Sequence, residues 1–208
     1  EDMLAQTLQS IGETDGSESF RVVLAMEARE AEGAQKAQRL IARYKDCFKW
    51  LDASFHPKDL MEYHLDGSKN AEVPGKASNL KYAVNYAYQA CKKEGILNLE
   101  QIVLTVADAD CIFHPGYFSH ISEDYTSKEF NDMRATMGSR CMNTMWQAPQ
   151  LPFRNFYKSP IVSRSWGYIA SVDELGGVAS LAYGGHHMVF SAYSLPLKLA
   201  VDAQPWDG

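Results

Sequence analysis

The chain has 208 residues, enough for one domain with a continuous buried core. Hydrophobic residues make up 46% and charged residues 22%, so the composition excludes wholesale disorder and a collagen-like repeat. The formal net charge of -6 at pH 7 gives the chain no general attraction to a phosphate backbone, which argues against nucleic acid as a partner.

The N-terminal residues 1–19 are rich in acidic residues, Gly and Ser, and are expected to form a flexible acidic tail with one or two helical turns at most. They do not have the basic and then apolar pattern of a signal peptide, and no apolar run along the chain is long enough to span a membrane. The cysteines have no CxxC spacing and lie in apolar surroundings, as reduced buried thiols do. We expect a cytoplasmic protein, or one at the cytosolic face of a membrane that is reached only through segments outside this chain.

From residue 20 onward the pattern predicts a single α/β domain over residues 20–208. Strands are expected at 21–26, 47–54, 101–107, 142–150 and 188–193, and helices at 37–48, 75–91, 115–128 and 161–175. The order strand–helix–strand, then helix–strand, is typical of a mostly parallel central sheet flanked by helices.

Two carboxylates follow the clearest predicted strand, in Val106-Ala107-Asp108-Ala109-Asp110. Ligands of open parallel sheets bind at the carboxyl ends of the strands. Two carboxylates at close range resist joint ionisation unless a cation is present, and a hard divalent ion such as Mn²⁺ or Mg²⁺ meets that need. The alternative is that one aspartate only caps the next turn. We favour metal binding by Asp108 and Asp110.

Three further segments carry polar groups suited to a ligand. Lys76 and Asn79 begin a predicted helix after Pro74-Gly75, where backbone N–H groups favour an anion, although an ordinary helix start with a solvated lysine explains the same residues. Glu27 follows the first strand and could accept a hydrogen bond from a ribose or a base, or be solvated. Gln147 and Gln150 lie beside aromatic residues, a combination that suits a polyhydroxylated ligand but is also common in a core.

Other catalytic patterns have little support. His186 and His187 are neighbours, and adjacent strand residues point to opposite faces, so a shared metal ion is not expected. There is no G-x-S-x-G nucleophile motif, and two aspartates beside Cys111 disfavour its thiolate.

Taken in order, VVLAME (22–27), GKASNL (75–80), VLTVADAD (103–110) and QAPQ (147–150) resemble the nucleotide-sugar half of a GT-A glycosyltransferase. The likeness is to family 2, the inverting transferases related to cellulose, chitin and hyaluronan synthases. It implies transfer of a sugar from a UDP-sugar or similar donor to a carbohydrate or other hydroxyl acceptor, with Mn²⁺ or Mg²⁺ at the diphosphate.

By this resemblance Asp110 would be a direct metal ligand, with Asp108 at the ribose or a metal-bound water. Lys76 and Asn79 would lie near the nucleotide, and Glu27 near its base or ribose. The second strand carries only Asp52 where many relatives have paired acids, so its nucleotide contact is a weak expectation.

Relatives place their general base in a Glu-Asp pair that follows the Asp-x-Asp, and none follows Gln150 here. Asp202 and Asp207 are nearer to the expected place, but the sequence ends at Gly208. The base is therefore unassigned, and the resemblance implies that it lies beyond Gly208, in a missing C-terminal part of the domain.

Two alternatives to a transferase remain open. The first is a sugar-phosphate nucleotidyltransferase, although its glycine-rich loop after the first strand is absent. The second is a non-catalytic carbohydrate- or partner-binding domain of the same fold.

Overall fold

A computed structural model describes residues 1–63, 69–72, 75–96, 98–137, 144–151, 155–181, 183–185, 187 and 192–203. Its helices are α1 (Asp2–Gly12), α2 (Gly33–Tyr44), α3 (Lys76–Lys93), α4 (Tyr117–Thr126), α5 (Lys128–Met137), α6 (Ile161–Leu181) and α7 (Leu197–Asp202). Its strands are β1 (Arg21–Glu27), β2 (Trp50–His56), β3 (Met61–Tyr63), β4 (Lys69–Ala71), β5 (Val103–Val106), β6 (Trp146–Gln147) and β7 (Tyr193–Pro196).

The structure is mixed α/β, as the sequence predicts. β1 and β2 pair in parallel, with Arg21 opposite Trp50 and Glu27 opposite His56. β3 and β4 form an antiparallel hairpin, and β5, β7 and β6 form a three-stranded antiparallel sheet in that order. Within the described residues, the expected mostly parallel arrangement is therefore seen only in the β1–β2 pair.

One hydrophobic core joins α1, α2 and one face of the β1–β2 sheet. Helix α2 contributes residues at helical spacing, such as Ala37, Leu40 and Tyr44, which meet Leu24 of β1 and its neighbours. Leu8 of α1, only 1% exposed, lies in the same core. The expectation of a flexible tail over residues 1–19 is therefore corrected: residues 2–12 form a three-turn helix, because its apolar stripe is buried against α2.

The opposite face of the β1–β2 sheet is polar and is covered by α3. Successive strand residues alternate between faces, so Asp52, Ser54 and His56 share the face that α3 covers. Tyr86 of α3 donates a hydrogen bond to Asp52, and the Tyr82 ring lies edge-on to His56. The sheet thus has an apolar face toward α1 and α2 and a polar face toward α3.

The orientation of α3 follows from contacts at its two ends. Arg21 at the start of β1 forms an ion pair with Glu94 after the end of α3. Asn79 in the first turn donates a hydrogen bond to the carbonyl oxygen of Ala25, near the end of β1. The N-terminus of α3 therefore lies at the carboxyl end of β1.

A second core links α3 to the antiparallel sheet. Val84 of α3 belongs to the same buried cluster as Leu195 of β7 and Leu197 and Ala200 of α7. The backbone N–H of Leu197 donates to the carbonyl of Ile102, which holds α7 against the start of β5. Helix α3 therefore connects the β1–β2 sheet with the three-stranded antiparallel sheet.

Several element boundaries differ from the sequence-based expectation. The helix expected at 115–128 is two helices, because Ser127 Oγ accepts from the N–H of Phe130 and begins α5 as an N-cap. Of the strand expected at 142–150, the described residues form only β6, and residues 188–191 of the last expected strand lie outside the described residues. In the described part of the chain, no helix combines the length and the apolarity needed to cross a bilayer.

Candidate functional site at the carboxyl ends of the strands

The first turn of α3 meets the segment that follows β5. Lys76 Nζ lies 2.6 Å from Asp108 Oδ1, and both side chains remain accessible, at 58% and 37% exposed. Asn79, in the same first turn of α3, reaches β1 through Ala25, while its Oδ1 is buried and has no hydrogen-bond partner among the described residues. The structure therefore brings together the two motifs that the sequence predicted separately, at the carboxyl ends of β1 and β5.

Strand register brings Gln147 to the same edge as the aspartates. Tyr193 of β7 is opposite Val106 of β5 on one side and Gln147 of β6 on the other. β5 and β6 are both antiparallel to β7, so they run in the same direction and end at the same edge. Because neighbouring strands are about 4.8 Å apart, the end of β6 lies about 10 Å from the end of β5. Gln150 follows three residues after Gln147.

The Asp-x-Asp segment is also held by α1. Thr7 Oγ1 donates a 2.9 Å hydrogen bond to the carbonyl of Ala109, the residue between the two aspartates. The N–H of Phe113 donates to Ser10 Oγ at 3.3 Å. The segment that the sequence assigned to a tail therefore supports the candidate metal-binding loop.

A charged cluster that the sequence analysis did not propose lies at the end of β2. His56 is only 2% exposed, and its Nε2 lies 3.0 Å from Glu72 Oε2, beyond the end of β4. Its Nδ1 faces Glu27 Oε2 at 3.5 Å, too far for a hydrogen bond but close enough for a charge interaction. Glu27 in turn lies 3.6 Å from Arg29. His56 therefore links the ends of β1, β2 and the β3–β4 hairpin.

Asp52 lies apart from these residues. Its Oδ2 accepts from Tyr86 and its Oδ1 from the N–H of Ala53, near the start of β2. Four residues of strand, about 13 Å, separate Asp52 from His56 at the other end. The hydrogen bond to Asp52, burial and the carboxylate charge raise the pKa of Tyr86 to about 12. Asp52 is thus part of the β2–α3 packing, and the structure does not bring it to the candidate site.

Thiol and histidine chemistry has no added support. Burial raises the pKa of Cys111, and the charges of Asp108 and Asp110 act in the same direction, so this thiol is a poor nucleophile. Cys47, Cys91 and Cys111 are free thiols, and Cys141 is outside the described residues. His187 pairs with Glu174 at 3.3 Å, and His186 is not among the described residues.

Asp202 is the described residue nearest to the place where the resemblance expects a general base. Asp202, at the end of α7, accepts a 2.6 Å ion pair from Lys198 one turn earlier on the same helix. Residues 204–208 lie outside the described residues, so Asp207 and Gly208 have no structural account here. The expectation that the base lies beyond Gly208 therefore stays a prediction, and the base is unassigned.

The aspartates of the Asp-x-Asp segment meet part of what a hard cation needs. Within the described ranges, no group of three or more His, Cys, Asp or Glu side chains is placed to hold a metal ion. Mg²⁺ sites at phosphates use one or two carboxylates, with the phosphate and waters supplying the other oxygens. Asp108 and Asp110 therefore fit an ion that arrives with a diphosphate, and they do not form a complete protein site.

A pattern in the sequence does mark the residues that the sequence analysis missed. In Asp52-Ala-Ser54-Phe-His56, polar residues alternate with apolar ones, which is the signature of a strand with one polar face. The partner Glu72 could not be found this way, because its approach to His56 depends on the pairing of β4 with β3. No family model, curated protein or solved structure matches this chain, so its function has to be inferred from the site.

Proposed function

We propose that the chain is a metal-dependent glycosyltransferase domain of the GT-A type, which transfers a sugar from a nucleotide-sugar donor, such as a UDP-sugar, to an acceptor hydroxyl with inversion. The observation that carries the proposal is the contact between Lys76 and Asp108. A lysine at a helix N-terminus can pair with the negative diphosphate, and the carboxylates of an Asp-x-Asp segment can bind the divalent ion that accompanies it.

The accessibility of this ion pair supports a binding role over a structural one. Both side chains are more than a third exposed, and exposed ion pairs contribute only about 0–1 kcal/mol to stability. The fold therefore does not depend on the pair, and a diphosphate can reach both charges. Lys76 then donates to phosphate oxygens, while Asp108 and Asp110 remain for the ion.

The remaining residues divide between the two ends of the donor. Glu27, the last residue of β1, accepts hydrogen bonds from the ribose or base, and Asn79, in the first turn of α3, lies near the nucleotide. Gln147 and Gln150 offer amide groups to sugar hydroxyls at the far side of the sheet edge. A bound Mn²⁺ or Mg²⁺ supplies Lewis-acid stabilisation of the charge on the departing diphosphate.

A GT-A-like sheet is part of the same proposal. It is supported by the parallel β1–β2 pair and by the shared direction of β5 and β6. It is also supported by α3, whose first turn contacts the end of β1 and the residues after β5.

Titration calorimetry with UDP, with and without Mn²⁺, tests this function. We expect metal-dependent binding that Asp110→Ala abolishes, whereas Asp46→Ala, an exposed carboxylate in the short 3-10 turn before β2, leaves it unchanged. Binding that does not depend on the metal, or that survives Asp110→Ala, would contradict the proposal. Metal-dependent binding without transfer or donor hydrolysis would favour the non-catalytic binding domain instead.

A further inference from the structure

Helix α6 exposes its apolar side, whereas an ordinary surface helix exposes its polar side. Seven large apolar side chains fall on one half of its circumference, and all are at least half exposed: Ile161, Val162, Trp166, Tyr168, Ile169, Val172 and Leu175. A helix that packs on a domain normally turns such residues toward the core. We call this surface the α6 apolar face.

The less exposed side of α6 consists mostly of small and polar residues. Arg164, Gly167, Ser171, Glu174 and Val178 recur every three or four residues, and they are the less exposed positions. Glu174 is held there by His187 at 3.3 Å. The apolar face is therefore the more exposed side of α6.

A shallow cleft of about 510 Å³ adjoins this face, within the size range of small-ligand pockets. It is lined by Phe156, Ile161, Arg164, Ser165, Tyr168 and Ile169. Trp166 projects from the same half of the helix and is 72% exposed. The face thus carries both an aromatic projection and an apolar cleft, which is the pairing that interface hot spots use.

The charge and the exposed area of the α6 apolar face indicate which partner binds it. Asp173 is the only charged residue on this half of α6, whereas the chain as a whole carries -6, so two copies repel least along this face. The seven side chains expose on the order of 900 Å², close to the ~800 Å² per partner of a standard interface. Helices that lie on membranes are rich in Lys and Arg, and α6 has only Arg164.

We propose that the α6 apolar face binds a second copy of this chain. The same face on both copies gives a two-fold, self-complementary contact, in which Trp166 of each copy enters the cleft of the other. Burial of these aromatic and aliphatic side chains, which are now in water, drives the association.

Sedimentation velocity of the whole chain, from about 1 µM to about 100 µM, measures this association in the range where such interfaces dissociate. We expect a reversible monomer–dimer equilibrium that Ile169→Asp weakens about a hundredfold, because a carboxylate would be buried without a partner. Ile112→Asp is a matched control, since Ile112 and Ile169 are both 57% exposed and Ile112 lies outside α6. It should associate like the unmodified protein.

A monomer at every concentration, or dimers that Ile169→Asp does not weaken, would overturn the proposal. Flotation with phosphatidylcholine vesicles tests the other occupant: a monomer that floats, and that Ile169→Asp releases, would assign the face to a bilayer. If Ile169→Asp does not give a native far-UV circular dichroism spectrum, Val162→Asp, at 77% exposed, tests the same face.

Discussion

His56 joins three segments at the candidate site, and His56→Ala should reduce the stability of the fold. Its ring is buried between the carboxylates of Glu27 and Glu72 and lies edge-on to the ring of Tyr82, with 5.6 Å between the ring centres. Alanine removes all of these contacts and leaves the nearly buried carboxylate of Glu72 without its nitrogen partner.

The magnitude follows from the separate contacts. A hydrogen bond to a charged group contributes about 1.5–3 kcal/mol. The ring contact adds about 0.5–1.5 kcal/mol. The 3.5 Å approach to Glu27 is too long for a hydrogen bond and adds less. Because such terms are not additive, we expect His56→Ala to lower the free energy of unfolding by about 3 kcal/mol.

Urea unfolding followed by circular dichroism measures this change, and Glu72→Gln completes a double-mutant cycle. We expect the two substitutions to be coupled by about 1 kcal/mol or more, since they remove the same contact. His120→Ala, at an exposed histidine of α4, should change stability by less than about 0.5 kcal/mol. A loss below about 1 kcal/mol for His56→Ala, with additive effects in the cycle, would refute the role given to this cluster.

Three further predictions concern the neighbouring contacts. The pKa of Tyr86 is raised to about 12, so the protonated hydroxyl stabilises the folded protein fully below the ordinary pKa of 10.0, and this contribution is lost as the pH rises toward 12. Between these pH values, the wild type should lose about 1 kcal/mol of unfolding free energy relative to Tyr86→Phe. Urea unfolding at a series of pH values measures this loss. Lys76→Ala should change stability by less than about 1 kcal/mol but weaken UDP binding in calorimetry about tenfold, whereas Lys93→Ala at the other end of α3 should not weaken it. Thr7→Val removes a hydrogen bond of about 1 kcal/mol to the Asp-x-Asp loop, so metal-dependent UDP binding should weaken about fivefold in the same assay; unchanged binding would mean that α1 does not support the site.

The sequence predicts best those elements in which the local pattern of apolar residues matches the residues that are buried in the fold. β1 and β5 are short apolar runs, and α2 and α3 carry apolar residues at helical spacing, so periodicity alone was enough to locate them. The sequence predicts at most two helical turns where α1 has three, because the local composition is polar and the burial of Leu8 depends on α2, far along the chain. Composition cannot report a contact of that kind.

The candidate site shows the same limit. Separate local signals predict Asp108 and Lys76 as site residues, and their 2.6 Å contact depends on how α3 crosses the sheet. The antiparallel place of β7 between β5 and β6 brings Gln147 to the edge, and no local pattern indicates strand order. The resemblance implies a nucleotide contact for Asp52, but Tyr86 holds this side chain near the opposite end of β2.

The proposed binding place of the diphosphate and the divalent ion is the junction between the first turn of α3 and the Asp-x-Asp segment. Mn²⁺ is paramagnetic, so NMR amide signals close to the bound ion are broadened. With UDP present, we predict the strongest broadening at Asp108, Asp110 and Lys76, and clearly weaker broadening at Trp50 and Asp52 at the start of β2. Broadening centred elsewhere, or uniform across the chain, would contradict this placement.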